Sequence, residues 1–396
     1  MSMNKKKLVL FKGDLDTINL FSEQLKQGFL ELGDYEIFEF VLGDMVNSLS
    51  GLYNFMQGEP ITAMIGFNST FYGMKLPSGA NMFEQLQIPC INIFVDHPYW
   101  YASILSQMPS TGIVLCIDRG HMEFVNRFYP QIPVNGFLPH GGTAMETLPK
   151  PVSERKTDVF YAGSLYADYI TKQKPDFSKW DFPAEKICEE TIERLLEEPT
   201  GTIEAVLEDT LHKYGVQMAE EELCAFISSC VYIERVVSSR YREAVLSAIA
   251  KAGIGLTLYG SGWENCDWIR LPNVHYGGMI SPSEVLVQME NAKIVLNTMP
   301  WFKDGSHERI FNGMLRGAVV CSDTSGYLEE VLPAEVWESF DLSADSIASL
   351  PKRLKALLQD TGRMQRIATA GYELAKDKHT WQERAEELHR DLLSLL

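Results

Sequence analysis

The first 150 residues alternate short runs that are apolar throughout with longer segments whose apolar residues recur at helical spacing. The segment TINLFSEQLKQGFLELG (17–33), for example, predicts an amphipathic helix. Apolar strands separated by helices are typical of a parallel sheet covered on both faces. The runs that predict its strands are KLVLFKG (7–13), YEIFEFVL (35–42), TAMIGFN (62–68), CINIFVDH (90–97) and GIVLCID (112–118).

The alternation is interrupted in the second half of the chain. Residues 147–157 (TLPKPVSERKT) have two prolines, mixed charges and no periodicity, which indicates a linker. A strand in DVFYAGSLY (158–166) is followed by an acidic, mainly helical stretch at 167–240, and from Arg240 the strand–helix alternation resumes. We therefore predict an α/β fold of two doubly wound, Rossmann-like domains, with 167–240 as a helical insertion in the second. The predicted parts are a first domain at 1–150, a second domain at 151–375 and a C-terminal helix at 376–396.

Polar residues follow several of the predicted strands of the first domain. They are Gly13 and Asp14 after the first strand, Asp96 and His97 after the fourth, and His140 in the loop LPHGG. Sites on parallel sheets collect at the carboxyl ends of strands, so these residues are candidates for a substrate site. Asp96 and His97 are equally suited to capping the helix that follows them, and the pattern leaves both interpretations open.

The stretch DGSHERIFNGMLRGAVVCSD (304–323) predicts a tight turn, a short helix and a buried strand. Gly305 permits the turn, and Ser306 is predicted to cap the helix. The free N–H groups of a helix start favour an anion, and the guanidinium of Arg309 has the fork geometry that matches phosphate. An ordinary cap with solvated charges is the alternative for this stretch taken alone.

Three further turns follow strands of the second domain. They are AGS (162–164), YGSGW (259–263) and HYGGMISPSEV (275–285), the last with Ser281 or Ser283 as the cap of the next helix. The first two leave backbone N–H groups at a strand end, where phosphate oxygens can approach. The third offers backbone groups to a flat base. Together with the turn at 304–309, they predict a pocket for a nucleoside diphosphate.

Composition narrows the class of protein. Acidic residues outnumber basic ones by 53 to 35, a formal net charge of −18, so we expect no nucleic-acid partner. Seven scattered cysteines without a C-x-x-C pair predict buried, reduced thiols. No run of about 18 apolar residues predicts a membrane span, and no export signal is visible. We therefore expect a cytoplasmic protein.

The ordered series FYAGS, LTLYGSGW, VHYGGMISPSEVLVQMENAKIVLNTMP and GSHERIFNGMLRGAVVCSDTSGYLEEVL resembles the C-terminal domain of GT-B glycosyltransferases. The resemblance covers about residues 240–375 and points to the group-1-like branch that includes CgeB-type spore maturation proteins. It implies a GT-B fold with two Rossmann-like domains facing a cleft, and a last helix that crosses back to the first domain. It also implies a nucleotide-sugar donor, a UDP-sugar above all, and transfer without an essential metal or other cofactor.

The resemblance also assigns roles to residues. Gly163 and Ser164 would lie near the pyrophosphate, Gly260 and Gly262 would shape the donor pocket, and Met279 and Ile280 would contact the base. Gly305, Ser306, His307 and Arg309 would surround the diphosphate and sugar. Many relatives have a Glu-x7-Glu pattern whose second Glu binds the ribose, whereas here the two positions are Asp304 and Asn312. A ribose contact by Asn312 is therefore weaker than a carboxylate would give, and Glu308 either compensates or faces solvent.

Glycosyl transfer requires stabilisation of the leaving diphosphate, for which Arg309 is the candidate. An inverting transfer also requires a general base, for which Asp96 and His97 are the candidates; Gly13, Asp14 and His140 are expected on the acceptor side. No H-E-x-x-H motif and no Cys/His cluster with ligand spacing is present, so we expect no metal ligands. The sequence leaves the acceptor open between a protein such as flagellin or a surface protein, a polysaccharide and a small molecule. The competing interpretations are a nucleotide-sugar epimerase or hydrolase, a two-lobed binding protein, and an inactive transferase.

Overall fold

The structure is a computed structural model that describes residues 5–13, 15–69, 71–145, 147–166, 170 and 172–396. The chain forms two compact units. One comprises the residues up to Ala144 together with Asp377–Leu396, and the other comprises Met145–Lys376. The two units are described separately below.

The first unit is built on a parallel sheet of six strands in the order β2-β1-β3-β4-β5-β6. Its central strands β4 and β5 are buried along their whole length, which is why they are apolar throughout. In β1, Leu8 and Leu10 pack into one core cluster, and Val9 and Phe11 pack into another. The strands are β1 (Lys6–Lys12), β2 (Tyr35–Val41), β3 (Ile61–Phe67), β4 (Cys90–Phe94), β5 (Gly112–Cys116) and β6 (Val134–Phe137).

Helices and the C-terminal segment cover this sheet. Trp381, Ala385 and Leu388 of the last helix are buried in the same cluster as Leu8 and Leu10, next to α1. A turn of π-helix follows at His389–Leu393, and its His389 Nδ1 lies 2.7 Å from the hydroxyl of Tyr35. The helices of the first unit are α1 (Asp16–Leu32), α2 (Met45–Phe55), α3 (Met82–Leu86), α4 (Ala102–Leu105) and α5 (Arg119–Phe128), and the last helix spans Trp381–Leu388.

Gly141 allows the C-terminal segment to approach the loop after β6. The N–H of Gly142 donates to the carbonyl of His379 at 2.7 Å, and the N–H of Trp381 donates to the carbonyl of Gly142 at 3.1 Å. A Cβ atom on Gly141 would lie 2.7 Å from the backbone nitrogen of Trp381. The loop LPHGG, predicted as an acceptor-side element, is therefore the place where the C-terminal segment packs.

We expect Gly141→Ala to destabilise the first unit by about 1–3 kcal/mol, because the added methyl group overlaps backbone that cannot move independently. The matched control is Gly43→Ala, since a Cβ at Gly43 meets nothing within 4 Å. Urea unfolding should show a lower midpoint for Gly141→Ala alone, with faster hydrogen exchange at 379–393. Equal midpoints for the two variants would contradict this account of the loop.

The second unit has a parallel sheet in the order β12-β11-β10-β7-β8-β9. The chain enters at the central strand β7, builds outward through β8 and β9, and then returns to the other side of β7 through β10. This is the Rossmann order, and its topological switch point lies between β7 and β10. The strands are β7 (Thr157–Ala162), β8 (Leu256–Tyr259), β9 (Val274–Tyr276), β10 (Ala292–Asn297), β11 (Val319–Asp323) and β12 (Glu338–Phe340).

The stretch between β7 and β8 is helical, as the sequence pattern predicts. The structure adds two elements that the pattern did not predict: the short strand β12 and the helix that precedes it. The helices of the second unit are α6 (Ala184–Glu197), α7 (Ile203–Lys213), α8 (Glu220–Ser229), α9 (Tyr232–Lys251), α10 (Pro282–Met289), α11 (Glu308–Leu315), α12 (Gly326–Val331), α13 (Ala344–Gln359) and α14 (Thr361–Lys378), so that Trp381–Leu388 is α15.

All seven cysteines are free and buried, which confirms that part of the prediction. Among the described residues, no helix combines the length and the apolar composition that a membrane crossing requires. The predicted α/β class with two doubly wound parallel sheets is confirmed.

Candidate functional site

The switch point of the second sheet brings together two of the turns identified in the sequence. Gly163 follows β7, and the segment that leads to α11 follows β10. Ligands of open α/β sheets bind at such a point, because loops from neighbouring strands diverge there and leave a crevice. The hydroxyl of Tyr161, in β7, lies 3.0 Å from the hydroxyl of Thr298, just after β10, so side chains also join the two strands.

Hydrogen bonds connect the turns after β7, β8 and β9. The N–H of Gly163 donates to the carbonyl of Tyr259 at 2.9 Å, and the N–H of Ser261 donates to the Ser164 hydroxyl at 3.0 Å. The N–H of Gly260 donates to the carbonyl of Gly278 at 2.8 Å. Three turns that are distant in sequence therefore form one backbone surface.

Glycine is required at two positions of this surface. Gly260 and Gly262 have φ values of 127° and 88°, which side-chain-bearing residues rarely adopt. A Cβ on Gly260 would lie 2.2 Å from the carbonyl oxygen of Gly163, and one on Gly262 would lie 2.4 Å from that of Leu165. These glycines allow the β7 and β8 turns to be in direct contact.

Arg309 lies in the first turn of α11 and is only 7% exposed. Its Nη1 donates to Oδ1 of Asn297, at the end of β10, and its guanidinium lies 5.3 Å from the ring centroid of Tyr161. Asn297 is itself fully buried, and its Nδ2 donates to the Ser322 hydroxyl at 2.8 Å. Residues of β7, β10 and β11 therefore fix the position of the guanidinium.

The positive charge of Arg309 has no acidic partner within the described part of the chain. Its partners there are a neutral amide and an aromatic ring. A buried charge is costly unless it is paired, so this site favours an anionic ligand. A second buried guanidinium, that of Arg242 in α9, donates to the carbonyl of Ser164 at 2.7 Å and adds positive potential at the same turn.

The start of α11 corrects one prediction. The helix begins at Glu308 and His307 occupies the N-cap position, so Ser306 does not cap it. Ser306 is instead fully buried, and its hydroxyl has no hydrogen-bond partner in the ranges that the structure describes. The helix is shorter than predicted because the chain is still extended at His307 (φ −106°, ψ 141°). Its end agrees with the prediction, since it stops at Leu315 just before Gly317.

His307 and Glu308 form a pair at this helix start. Nδ1 of His307 lies 2.6 Å from Oε2 of Glu308 and, as the cap of α11, accepts from the N–H of Arg309 at 3.2 Å. Burial is the main cause that lowers the pKa of His307; Glu308 opposes it, and Arg309 and Arg242 reinforce it. Burial therefore favours the neutral form of this imidazole.

The loop after β9 carries the residues proposed to contact a base. Met279 is 68% exposed and Ile280 is half-buried, and both precede α10. Ser281 caps this helix by accepting from the N–H of Glu284, and the Glu284 carboxylate accepts from the N–H of Ser281 in return. Ser281 is therefore the cap of α10, and the predicted helix start is confirmed.

Gly305 and Asn312 lie on either side of the Arg309 turn. The carbonyl of Gly305 accepts from the Ser325 hydroxyl at 2.6 Å, which ties this turn to the loop after β11. Asn312 is 5% exposed in α11 and Asp304 is half-buried. The ribose contact that the resemblance suggests for Asn312 stays a prediction.

Asp323, at the end of β11, is a buried acid that the sequence did not single out. Its carboxylate oxygens accept from the N–H of Met299 at 2.8 and 3.0 Å. Burial is the main cause that raises the pKa of Asp323 to about 7, and Met299 and Lys303 only partly offset it.

We expect Asp323→Asn to be more stable than the parent protein above pH 7. In the unfolded chain the carboxyl ionises near the ordinary aspartate pKa of 3.8, but in the folded protein it keeps its proton to about pH 7. The folded state therefore binds more protons, and the parent loses stability, on the order of 4 kcal/mol, as the pH rises through this window. Thermal unfolding at pH 5 and pH 8 should show a larger advantage of the variant at pH 8. An advantage that does not change with pH would refute this expectation.

The described candidates in the first unit lie at three places, after β1, after β4 and after β6. Gly13 exchanges hydrogen bonds with the Asn19 side chain, both at 2.9 Å, at the end of β1. Asp14 lies outside the described residues. Asp96 is half-buried, and its Oδ2 accepts from the Asn68 amide at 2.8 Å and the Tyr101 hydroxyl at 3.0 Å.

His97 is buried and stacks on Tyr99, with ring centroids 3.8 Å apart. Its Nδ1 accepts from the N–H of Tyr99 at 3.3 Å, so it caps the short helical turn at Pro98–Tyr101, one of the two roles considered. His140 is buried between Phe21 and Trp381, at 5.3 and 6.0 Å between centroids. The roles of His97 as a base and of His140 on the acceptor side stay predictions.

Three residues that support Arg309 and the Ser164 turn were missed in the sequence: Tyr161, Asn297 and Arg242. Asn297 had a usable signal, because it is a polar residue at the end of an apolar strand. Tyr161 and Arg242 had none, since an aromatic residue in a strand and an arginine in a long helix are ordinary. In the portion of the chain that is described, no group of three His, Cys, Asp or Glu side chains is arranged to hold a metal ion.

One family model matches part of the second half of the chain. Residues 240–390 match a family model described as "Glycosyl transferase-like". No curated protein sequence matches the chain significantly.

Solved structures resemble the whole chain. Sucrose-phosphate synthase from Thermosynechococcus elongatus is 10% identical, with a TM-score of 0.54 over 99% of this chain and all of that one. Anabaena Alr3699/HepE, solved with UDP and glucose, is 11% identical, with a TM-score of 0.55 over 99% of this chain and all of that one. An alpha-glucosyltransferase solved with UDP and a 13-mer DNA containing a HMU base is 12% identical, with a TM-score of 0.57 over 98% of this chain and all of that one.

These structures are too distant in sequence to show more than the fold. The evidence for a glycosyltransferase comes from the family model that matches residues 240–390. The predicted GT-B fold and the predicted glycosyltransferase class are both confirmed. The chain has the GT-B fold, and its residues 240–390 match the glycosyl transferase-like family model.

Proposed function

We propose that the protein transfers a sugar from a nucleoside-diphosphate sugar, and that the diphosphate binds at the switch point of the second sheet. The observation that carries this proposal is the buried guanidinium of Arg309, which has only neutral partners in the described chain. A diphosphate supplies the missing negative charge. Its oxygens would also pair with the buried hydroxyl of Ser306, whose unmet hydrogen bond costs about 1–3 kcal/mol.

Uridine is the proposed base of the donor. HepE and the alpha-glucosyltransferase, which share the fold of this chain, were solved with UDP. The exposed backbone loop at Met279 and Ile280 lies on the β9 side of the proposed diphosphate site, where a base would lie.

The reaction breaks the bond between the anomeric carbon and the β-phosphate oxygen, and forms a bond from that carbon to an acceptor oxygen or nitrogen. The bonding electrons leave with the diphosphate, whose negative charge rises in the transition state. Arg309 and the positive end of the α11 dipole stabilise that charge, as groups fixed in advance do most effectively. We propose that these groups take the place of a metal ion.

The acceptor gives up a proton during transfer. Asp96 is the proposed base in an inverting reaction, because its carboxylate is half-buried at a strand end of the first unit. His97 is the second candidate. In a retaining reaction the proton passes to the leaving phosphate, and both residues only position the substrates. A protein, a polysaccharide and a small molecule all remain in the proposal as acceptors.

Calorimetric titration with UDP, GDP, ADP and CDP in the presence of EDTA tests the proposal. We expect saturable binding of one diphosphate, UDP, without added metal. The failure of every nucleotide to bind, or binding only with a divalent cation, would overturn the proposed site or its independence from metal. Incubation with UDP-sugars and mass spectrometry of the products then distinguishes transfer from hydrolysis or epimerisation.

A further inference from the structure

One helix of the second unit contacts both loops that flank the switch point. Helix α9 presents Ser238, Ser239 and Arg242 on one face, because residues three and four positions apart are neighbours on a helix. Each of these side chains forms a hydrogen bond to the loop after β7 or to the loop after β10. Ser238 and Ser239 belong to the predicted insertion at 167–240, to which the proposed function assigns no role.

Two of the three contacts hold the loop after β7. Nη1 of Arg242 donates to the carbonyl of Ser164 at 2.7 Å, and the Ser239 hydroxyl accepts from the N–H of Tyr166 at 3.2 Å. The guanidinium of Arg242 also lies 5.1 Å from the ring centroid of Tyr166. Helix α9 therefore fixes the backbone of this turn on both sides of Leu165.

The third contact holds the loop after β10. Nε1 of Trp301 donates to the Ser238 hydroxyl at 2.5 Å, and Ser238 is only 1% exposed. Trp301 lies in the segment between β10 and α11, which leads directly to Ser306 and Arg309. Because the Ser238 hydroxyl is buried, loss of either partner leaves the other group without this hydrogen bond in a place that excludes water.

The rest of the insertion holds α9 and the β10 loop in place. The Tyr241 hydroxyl of α9 lies 2.9 and 3.1 Å from the carbonyl oxygens of Leu195 and Leu196 in α6. The ammonium group of Lys303 donates to the carbonyl of Pro199, in the loop that follows α6. The insertion therefore contacts the β10 loop at two points, through α9 and through the loop after α6.

We infer that the insertion holds the two diphosphate-binding loops at a fixed separation, with Ser238 and Trp301 as positioning residues for the donor. This inference rests on the proposed function, which places the diphosphate between those loops. An anion that is bound by groups from two loops binds most tightly when the loops are already held at the separation it requires. Ser238 and Trp301 act through the loop after β10 and need no contact with the donor.

Calorimetric titration with UDP and with UMP tests the inference, because only UDP carries the second phosphate. The variants are Ser238→Ala, which removes the acceptor, and Trp301→Phe, which removes the donor and keeps an aromatic ring. The matched control is Ser247→Ala, the same change more than two turns further along α9. We expect each variant to weaken UDP binding about fivefold, the loss that corresponds to one net hydrogen bond, while UMP binding changes less than twofold. The control should change neither.

Two further measurements show whether the pair acts as a unit. The double variant Ser238→Ala/Trp301→Phe should bind UDP no more weakly than either single variant, because both remove the same contact. Hydrogen exchange of the ligand-free proteins should be faster at 299–306 in both single variants than in the parent protein and the Ser247→Ala control.

The outcomes separate this inference from the proposed function. If UDP does not bind the parent protein, the proposed function fails and the inference fails with it. If UDP binds the parent but the variants bind it as tightly, or weaken UDP and UMP equally, the insertion does not position these loops and the diphosphate site stands. Unchanged exchange at 299–306 in both variants would also overturn the inference.

Discussion

Replacement of Arg309 by alanine is expected to lower kcat/KM for the donor by about 10²–10³-fold, the usual loss on removing one fixed donor to a developing charge. Its guanidinium is buried, it is fixed by Asn297 and Tyr161, and it has no acidic partner in the described chain, so we expect it to act on the leaving diphosphate with little competition. Steady-state kinetics with the donor, and donor hydrolysis where no acceptor is known, measure the effect.

Two controls separate charge from geometry. Arg309→Lys keeps the charge but loses the planar guanidinium, including the Nη1 that donates to Asn297, and we expect it to retain less than a tenth of the activity. Arg240→Ala removes an exposed arginine paired with Glu193 and should have no effect. If Arg309→Ala folds normally and turns over the donor like the parent, the diphosphate site is elsewhere.

Gly260→Ala is expected to lower the free energy of unfolding by about 3 kcal/mol or more and to abolish binding of the nucleotide. The substitution combines a φ of 127° with a Cβ 2.2 Å from the carbonyl oxygen of Gly163, so both strain and overlap apply. The methyl group would separate the β7 and β8 turns, which together form the backbone surface of the site.

Gly253→Ala is the matched control, because Gly253 also has a positive φ, 78°, but open space around its Cβ position. It should cost about 1–2 kcal/mol from backbone strain alone and leave nucleotide binding intact. Urea unfolding followed by tryptophan fluorescence, and calorimetry with UDP, measure both quantities. Equal losses in the two variants would show that the contact between the turns does not matter.

Most of the fold follows from the sequence because both parallel sheets are buried. A strand such as Cys90–Phe94 has to be apolar on both faces, and this pattern is visible without any partner. The strand Glu338–Phe340 was missed for the opposite reason. It has three residues, and its Glu338 is buried only because Arg353 and Arg363, from α13 and α14, pair with it.

The loops of the candidate site could be predicted from the sequence, but the residues that hold Arg309 in position could not. The glycines at 260 and 262 mark turns whatever the surroundings, and Arg309 follows a recognisable helix start. The roles of Tyr161 and Asn297 depend on β10 lying beside β7, a contact between residues more than 130 positions apart. Asp323 is unusual only because of its burial, which the sequence does not display.

The start of α11 could not be predicted from the local sequence alone. Ser306 has the chemistry of a cap, but the chain is still extended at His307, which occupies the cap position instead. The hydroxyl of Ser306 is thereby left buried and without a partner in the described ranges.

Hydrogen–deuterium exchange with and without saturating UDP, in EDTA, tests the central claim most directly. The claim is that four loops of the second unit bind one diphosphate at the switch point of its sheet. We predict slower exchange at 163–165, 260–263, 277–281 and 305–310, and the loss of this protection in Arg309→Ala. Protection that leaves 163–165 and 305–310 unchanged while UDP is bound would contradict it.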